Sequence, residues 1–294
     1  MESMINVSGL TKNYHKETIL DHLSFQIKSG ESVALLGENG AGKTTMINIL
    51  NQIITKDAGV ITIMGKQDMR QLRGEIGIMM QKSIALPRIT VKECLNLIRS
   101  YYRQPLSYDE VLDLAQLKKE EAKYVSHLSG GQKRRLSFAA AMASNPRLIF
   151  LDEPTAGMDS NSRKNFWQTI EHLKKAGKTF FITSHYLEEL DQIADRIMIL
   201  KDGHLIHNDR LQALQSQSKN TRIQFKTKLS KAIFVKLAGV NDVRTYQERV
   251  QLSTGDLNLV LTELMPYLDQ IESLTVQQNS LETLFHEVIG GTIK

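Results

Sequence analysis

Between Glu31 and Leu36 the chain reads Glu-Ser-Val-Ala-Leu-Leu, an apolar run that does not alternate with polar residues. A short unbroken run of this kind predicts a strand buried on both faces. A glycine-rich stretch follows, and Thr44 to Asn51 then predicts a helix. Two further apolar runs, 147–151 and 179–183, enclose a helical stretch around Phe166 to Lys175. Strand and helix alternating in this way predict an α/β domain whose parallel sheet is covered by helices. From about Lys82 to Leu128 the pattern turns mostly helical. There Ser107-Tyr108-Asp109-Glu110 has the form of a capping box, opening a helix with Val111, Leu112, Leu114 and Ala115. We read this block as a helical subdomain inserted into the sheet domain, spanning about 82–146.

Leu187, Leu190, Ile193, Ala194 and Ile197 recur at helical spacing and predict a helix over 187–197. Lys201-Asp202-Gly203 then turns a hairpin. The polar run from Gln215 to Asn220 reads as a linker, dividing the chain into domains 1–217 and 218–294. Beyond it the pattern is a strand (221–227), a helix around Ala232 to Leu237, and two short runs near Val243 and Val250. A helix over 257–268, a strand over 271–276 and a helix over 281–289 complete it. The order βαββαβ plus a helix predicts a small α+β domain of the ferredoxin-like type.

Composition narrows the classes open to the chain. Its 294 residues suit one large domain and one small one, and 41% hydrophobic with 23% charged residues is ordinary for a globular protein. No apolar run approaches the roughly eighteen residues of a membrane helix. Met1-Glu2-Ser3-Met4 opens with an acid, so no signal peptide is expected. The single cysteine, Cys94, excludes an internal disulfide and reads as a packing residue in a reducing compartment. The net charge of +5 is scattered, with one tight cluster at Lys133-Arg134-Arg135. That cluster fits either an exposed helix face or a source of positive potential for an anion. No basic stripe with interleaved aromatics is present, so nucleic acid is not an expected partner. His204 and His207 flank the hairpin turn with no further ligand at metal spacing, and read as a solvated turn.

Three stretches carry candidate chemistry. Gly37-Glu38-Asn39-Gly40-Ala41-Gly42-Lys43-Thr44-Thr45 follows a strand and opens a helix. Its glycines let backbone N–H groups approach phosphate oxygens, Lys43 reaches the β- and γ-phosphates, and the Thr44 hydroxyl can ligate Mg²⁺. Leu148 to Glu153 is an apolar strand ending in two acids. Asp152 stands where a carboxylate can hold a cation, and Glu153 where one can activate water. The third stretch, Leu128-Ser129-Gly130-Gly131-Gln132, opens a helix whose N-terminus suits an anion.

With Gln81 at the edge of the helical block, Asp159 and His185, these stretches stand in an order that resembles the ATP-binding cassette of ABC transporters, over roughly residues 3 to 215. The resemblance implies a P-loop ATPase cassette: a parallel-sheet core, N-terminal antiparallel strands and a helical subdomain. It implies ATP and Mg²⁺ as cofactors. In it Tyr14 stacks on adenine, although the residue also fits a simple core tyrosine. Gly37, Asn39, Gly40, Ala41, Gly42, Lys43, Thr44 and Thr45 hold the nucleotide, and Thr44, Gln81 and Asp152 hold the metal. Glu153, His185 and Gln81 serve catalysis. Ser129, Gly130, Gly131 and Gln132 bind the nucleotide of an opposing subunit, and Asp159 crosses between subunits. Glu38 stands where the family commonly has proline, and Met158 where it commonly has leucine. Neither replacement removes a group that touches phosphate.

The short insert around Leu86 to Glu93, the run from Ser184 to Glu189 and the tail from Ser280 to Phe285 resemble the ATP-binding subunits of bacterial ABC-2-type exporters. The tail is described equally well as a capped amphipathic helix with Leu281, Leu284, Phe285 and Val288 in a core. The resemblance implies a homodimer that drives a separate membrane permease from the cytoplasmic face of the membrane. Other assignments are an importer ATPase, a sensing complex, or a soluble ABC ATPase acting on ribosomes or DNA. The last usually carries two cassettes or a long coiled coil, and this chain has neither pattern.

Overall fold

A computed structural model describes residues 3–15, 17–82, 84, 86–184, 186–217, 221–277 and 281–290. In chain order these form β1 (Ser3–Tyr14), β2 (Glu17–Lys28), β3 (Ser32–Gly37), α1 (Lys43–Leu50), β4 (Ala58–Ile63) and β5 (Ile76–Met79). The helices α2 (Val91–Ser100), α3 (Tyr108–Ala115) and α4 (Gly130–Met142) follow. Then come β6 (Leu148–Asp152), α5 (Ser160–Lys175), β7 (Thr179–Thr183), α6 (Leu187–Leu190), β8 (Arg196–Lys201) and β9 (His204–Arg210). The chain divides into two compact units, Met1–Asp209 and Arg210–Lys294.

In the first unit, a six-stranded sheet runs β5-β6-β7-β3-β8-β9, and β5, β6, β7, β3 and β8 run parallel to one another. Every residue of β6 and of β7 is buried, as expected of strands covered on both faces. Strands β1 and β2 instead alternate buried and exposed positions, and they pair antiparallel with β4 in a separate three-stranded sheet. Helices α2, α3 and α4 share an apolar cluster of their own, built on Val91, Leu95, Val111, Leu112 and Leu136. Cys94 lies fully buried within it, and burial pushes its thiol up to about 11, so it stays protonated and inert. The expected cassette architecture is therefore observed: a parallel-sheet core, an antiparallel layer and a helical block.

The second unit begins with α7 (Leu211–Gln217), followed by β10 (Thr221–Lys226), α8 (Lys231–Phe234), β11 (Val240–Tyr246), β12 (Arg249–Thr254), α9 (Leu257–Leu264), β13 (Glu272–Gln277) and α10 (Leu281–Ile289). Its sheet order is β11-β12-β10-β13, antiparallel throughout. Strand order 4-1-3-2 is the split βαβ arrangement of ferredoxin-like domains. Phe225, Phe234, Leu252 and Val260 occupy its core.

Three expectations are corrected. The helix predicted over 187–197 stops at Leu190, and Arg196–Lys201 forms β8. The reason is tertiary: the Asp195 N–H donates to the Ser32 carbonyl at 2.8 Å while its carboxylate accepts the Ser32 N–H at 2.9 Å, which locks the chain alongside β3. The predicted linker begins as helix, since α7 takes in Gln215–Gln217, with Leu211 and Leu214 buried and α10 packed against it. Residues 218–220 lie outside the described residues. Finally, the helix predicted over 257–268 ends at Leu264 and tightens into a 3₁₀ turn over Met265–Gln270, where Pro266 lacks the N–H that the helix needs.

Candidate functional site

The site is built at the carboxyl ends of the parallel strands, where α/β sheets place their crevices. Strand β3 ends at Gly37 and runs into the glycine loop. A Cβ at Gly37 would collide with the Leu200 carbonyl oxygen on β8. Gly42 has φ +103°, and a Cβ there would stand 2.8 Å from Leu20 Cδ2 and 3.0 Å from the Ile19 oxygen. Only glycine fits that position, on backbone and steric grounds together. Helix α1 begins at the next residue, so its unpaired first-turn N–H groups open toward the loop.

Lys43 folds back across this loop. Its ammonium donates to the Gly37 carbonyl at 2.8 Å and the Glu38 carbonyl at 3.0 Å. Burial holds its pKa below the ordinary lysine value, and the charges of Glu153 and Asp152 oppose that shift. The two acids stand at the end of β6, both buried. Asp152 Oδ1 accepts a 2.6 Å hydrogen bond from the Thr183 hydroxyl, while Asp152 Oδ2 is buried with no hydrogen-bond partner among the described residues. Glu153 has φ +51°, the left-handed region that costs a non-glycine residue energy and is often found at functional sites. Its N–H is held by the Thr183 carbonyl at 3.1 Å and hydroxyl at 3.2 Å.

Tyr14, Asn39, Gly40, Gly42, Lys43, Thr44, Thr45, Gln81, Asp152 and Glu153, all expected site residues, line a single cleft of about 290 Å³. Tyr14 is 46% exposed, so it is a surface platform and not a core tyrosine. The Lys12 ammonium sits 5.3 Å from its ring centroid and pairs with Asp57 at 3.1 Å. Gly37 lies behind the loop in β3, and Ala41 packs against the apolar core.

Ser129–Gln132 and Asp159 do not line this cleft. Ser129 caps α4, its hydroxyl accepting the Gln132 N–H at 3.3 Å while Gln132 Oε1 accepts the Ser129 N–H at 2.9 Å. This capping box occupies Ser129 as an acceptor and leaves its O–H able to donate. Ser129 and Gly130 are exposed, and a Cβ on Gly131 would meet Met158 Cα no closer than 3.6 Å. Asp159 caps α5, accepting from the Ser162 N–H at 2.9 Å and hydroxyl at 2.7 Å. Those bonds, the backbone one foremost, hold its carboxyl below the usual range. His185 lies outside the described residues.

Two residues of the site were not anticipated as such. Thr183 uses one hydroxyl to hold both acids; its signal was its place at the end of a buried strand, directly before Ser184-His185. Arg134 fits neither reading of the basic cluster. It is 3% exposed, and its guanidinium donates to the carbonyls of Met80 and Gln81, each at 2.8 Å, and of Asp152, Glu153 and Pro154.

Comparison with known proteins agrees with this geometry. A family profile described as ABC transporter matches residues 20–156. The chain is 33% identical to the linearmycin resistance ATP-binding protein LnrL of Bacillus subtilis, across 99% of this chain and 100% of that protein. It is 36% identical to Nod factor export ATP-binding protein I of Rhizobium leguminosarum bv. viciae, across 71% of this chain and 70% of that one. Among solved structures, a dimeric ATP-binding cassette in a post-hydrolysis state with ADP and Pi bound superimposes with a TM-score of 0.64 at 28% identity, covering 71% of this chain and 99% of that one.

Proposed function

The chain belongs to the ABC transporter ATP-binding family of ATPases, and from that premise we propose that it is the ATP-hydrolysing subunit of an ABC-2-type export complex, working as a head-to-tail pair. One observation carries the pairing. The cleft holds the phosphate loop and both acids, whereas Ser129–Gln132 are not among its lining and stand at the start of α4, Ser129 and Gly130 exposed and Gly131 and Gln132 half-buried. In a pair, each chain's Ser129–Gln132 completes the other's cleft.

Each residue then has a role set by its surroundings. Tyr14 stacks on adenine, and Lys43 with the N–H groups of Gly40–Thr45 holds the phosphates. Lys43 is already desolvated, so a phosphate is a favourable new partner for its ammonium. Asp152 Oδ2, without a hydrogen-bond partner among the described residues, would with the Thr44 hydroxyl and the Gln81 side chain supply the oxygen donors that a hard cation takes. When bound there, Mg²⁺ neutralises charge on the terminal phosphates. Glu153 accepts the proton of a water that attacks the γ-phosphorus, the bond to the β-phosphate oxygen breaks, and ADP and phosphate leave. The Ser129 hydroxyl and the N–H of Gly131 donate to the γ-phosphate of the partner's ATP. His185 and Asp159 complete the closed arrangement from the γ-phosphate side and the subunit interface.

Export is supported by the relatives: a resistance protein matched from end to end and an export ATP-binding protein. No described helix is long and apolar enough to cross a membrane, which fits a partner permease carrying the spans and the chain docking to it at the cytoplasmic face. The first unit also has a wide groove of about 1670 Å³ walled by β5 and by Arg70, Arg73, Tyr101 and Tyr102. Gln81 follows the end of β5 by two residues, so a permease segment seated in this groove would lie against the strand that leads to the ATP site.

Glu153→Gln tests the reading. We expect kcat to fall about 1,000-fold, within the range for losing a general base. ATP affinity should be retained, and a dimer should form on size-exclusion chromatography only with ATP. Wild-type turnover in that variant would remove Glu153 from its role, and a monomer with ATP bound would remove the pairing.

A further inference from the structure

We infer that Arg134 is a positioning residue for hydrolysis: its guanidinium holds the backbone at Gln81 and at Asp152–Pro154 in register with α4, the helix that begins at Ser129–Gln132. Five carbonyl oxygens from two separate segments converge on this one side chain. Nη1 donates to Met80 and Gln81 at 2.8 Å each, Nη2 to Asp152 at 3.0 Å and to Glu153, and Nε to Pro154 at 3.2 Å. No carboxylate oxygen is among these acceptors. The pattern uses the rigid planar fork of arginine as a template for backbone, which a lysine point charge cannot copy. A charge this deeply buried is costly unless it is well compensated, and the nearby Asp152 and Glu153 charges favour its ionised form.

The clamp bears on the two residues whose backbone matters most. Glu153 is held in the left-handed region by Thr183 at its N–H and by Arg134 at its carbonyl, so the backbone from which its carboxylate extends is fixed. Beyond Gln81, the Ile84 N–H donates to the Ser137 hydroxyl at 3.1 Å, tying the same segment to the next turn of α4. Arg134 lies two residues past Gln132. The helix proposed to offer its N-terminus to the partner's nucleotide therefore also holds the backbone of Gln81 and Glu153 in its own site.

The inference rests on Glu153 being the hydrolytic carboxylate, and the experiment separates the two. Full-length wild type, Arg134→Lys, Arg134→Gln and Glu153→Gln are compared for folding by circular dichroism, for affinity with a fluorescent ATP analogue, and for ATPase kcat. Arg134→Lys keeps the charge and the packed stem and is the variant most certain to fold. We expect it to hold nucleotide affinity within about threefold while kcat falls about tenfold, with Arg134→Gln lower by a further tenfold or so. In the Glu153→Gln background, Arg134→Lys should then lower the residual rate less than about twofold, because both changes remove one function. A folded Arg134→Lys with kcat within twofold of wild type overturns the inference. So does a parallel loss of affinity and kcat, or full multiplicative loss in the double variant. If Glu153→Gln itself turns over normally, it is the reading of the site that fails.

Discussion

At Gly42 an added Cβ would meet Leu20 at 2.8 Å and the Ile19 oxygen at 3.0 Å, whereas at Gly131 it would meet nothing closer than 3.6 Å. The phosphate loop and the Ser129–Gln132 stretch are both glycine-bearing helix starts that suit an anion, yet the first is packed into its own chain at Gly42 and Lys43, while the second opens with Ser129 and Gly130 exposed. Lys43 has its protein partners in place and Asp152 and Glu153 are buried, while Ser129 caps α4 and faces solvent. The difference teaches what each glycine is for. Gly42 answers a constraint inside the fold; at Gly131 a Cβ would meet only ordinary van der Waals contacts, so the proposed pairing is what would call for glycine there.

Paired substitutions can break that comparison. Gly42→Ala should weaken ATP binding by the isolated chain about 100-fold, because the left-handed turn and its neighbours must shift. Gly131→Ala should leave isolated-chain affinity within about twofold, yet lower turnover at least tenfold by crowding the partner's phosphate, with ATP-dependent dimer loss as the readout. Equal effects on isolated-chain binding would erase the distinction. A smaller change tests the acids' support. Thr183→Val removes the hydroxyl that serves Asp152 and Glu153, and should cost about 1–2 kcal/mol in urea melts and lower kcat several-fold. Unchanged kcat would show that Arg134 alone is enough to direct Glu153. The smallest effect is at the rim, where Tyr14→Ala should raise the KM for ATP about fivefold with kcat unchanged, in the range of one lost base stack. No change in KM would leave the exposed ring without a nucleotide role.

Legibility in the sequence followed the length scale of each interaction. The phosphate loop, Asp152-Glu153 and the Ser129–Gln132 cap are contiguous, because a turn, a strand end and a helix start each need neighbouring residues with particular backbone freedom or hydrogen-bonding groups. The same holds for the order of elements in the second unit, whose sheet has the strand arrangement its βαββαβ pattern predicts. Arg134 was hidden for the opposite reason. In the sequence it sits between Lys133 and Arg135, and nothing local separates a buried template from two surface charges. Its partners lie about 20 and 50 residues away. The helix predicted over 187–197 went wrong the same way, since its spacing fits a helix until Asp195 docks on Ser32.

By itself, then, the sequence determined the class of chemistry and the layered α/β plan, because phosphate binding and strand burial are written in short local patterns. Tertiary structure decided which of the candidate residues share a cleft, that Glu153 is held from both sides by Thr183 and Arg134, and that Ser129–Gln132 are left outside. Those outcomes depend on where strand ends and helix starts come to rest in space, which is set by packing across long stretches of chain.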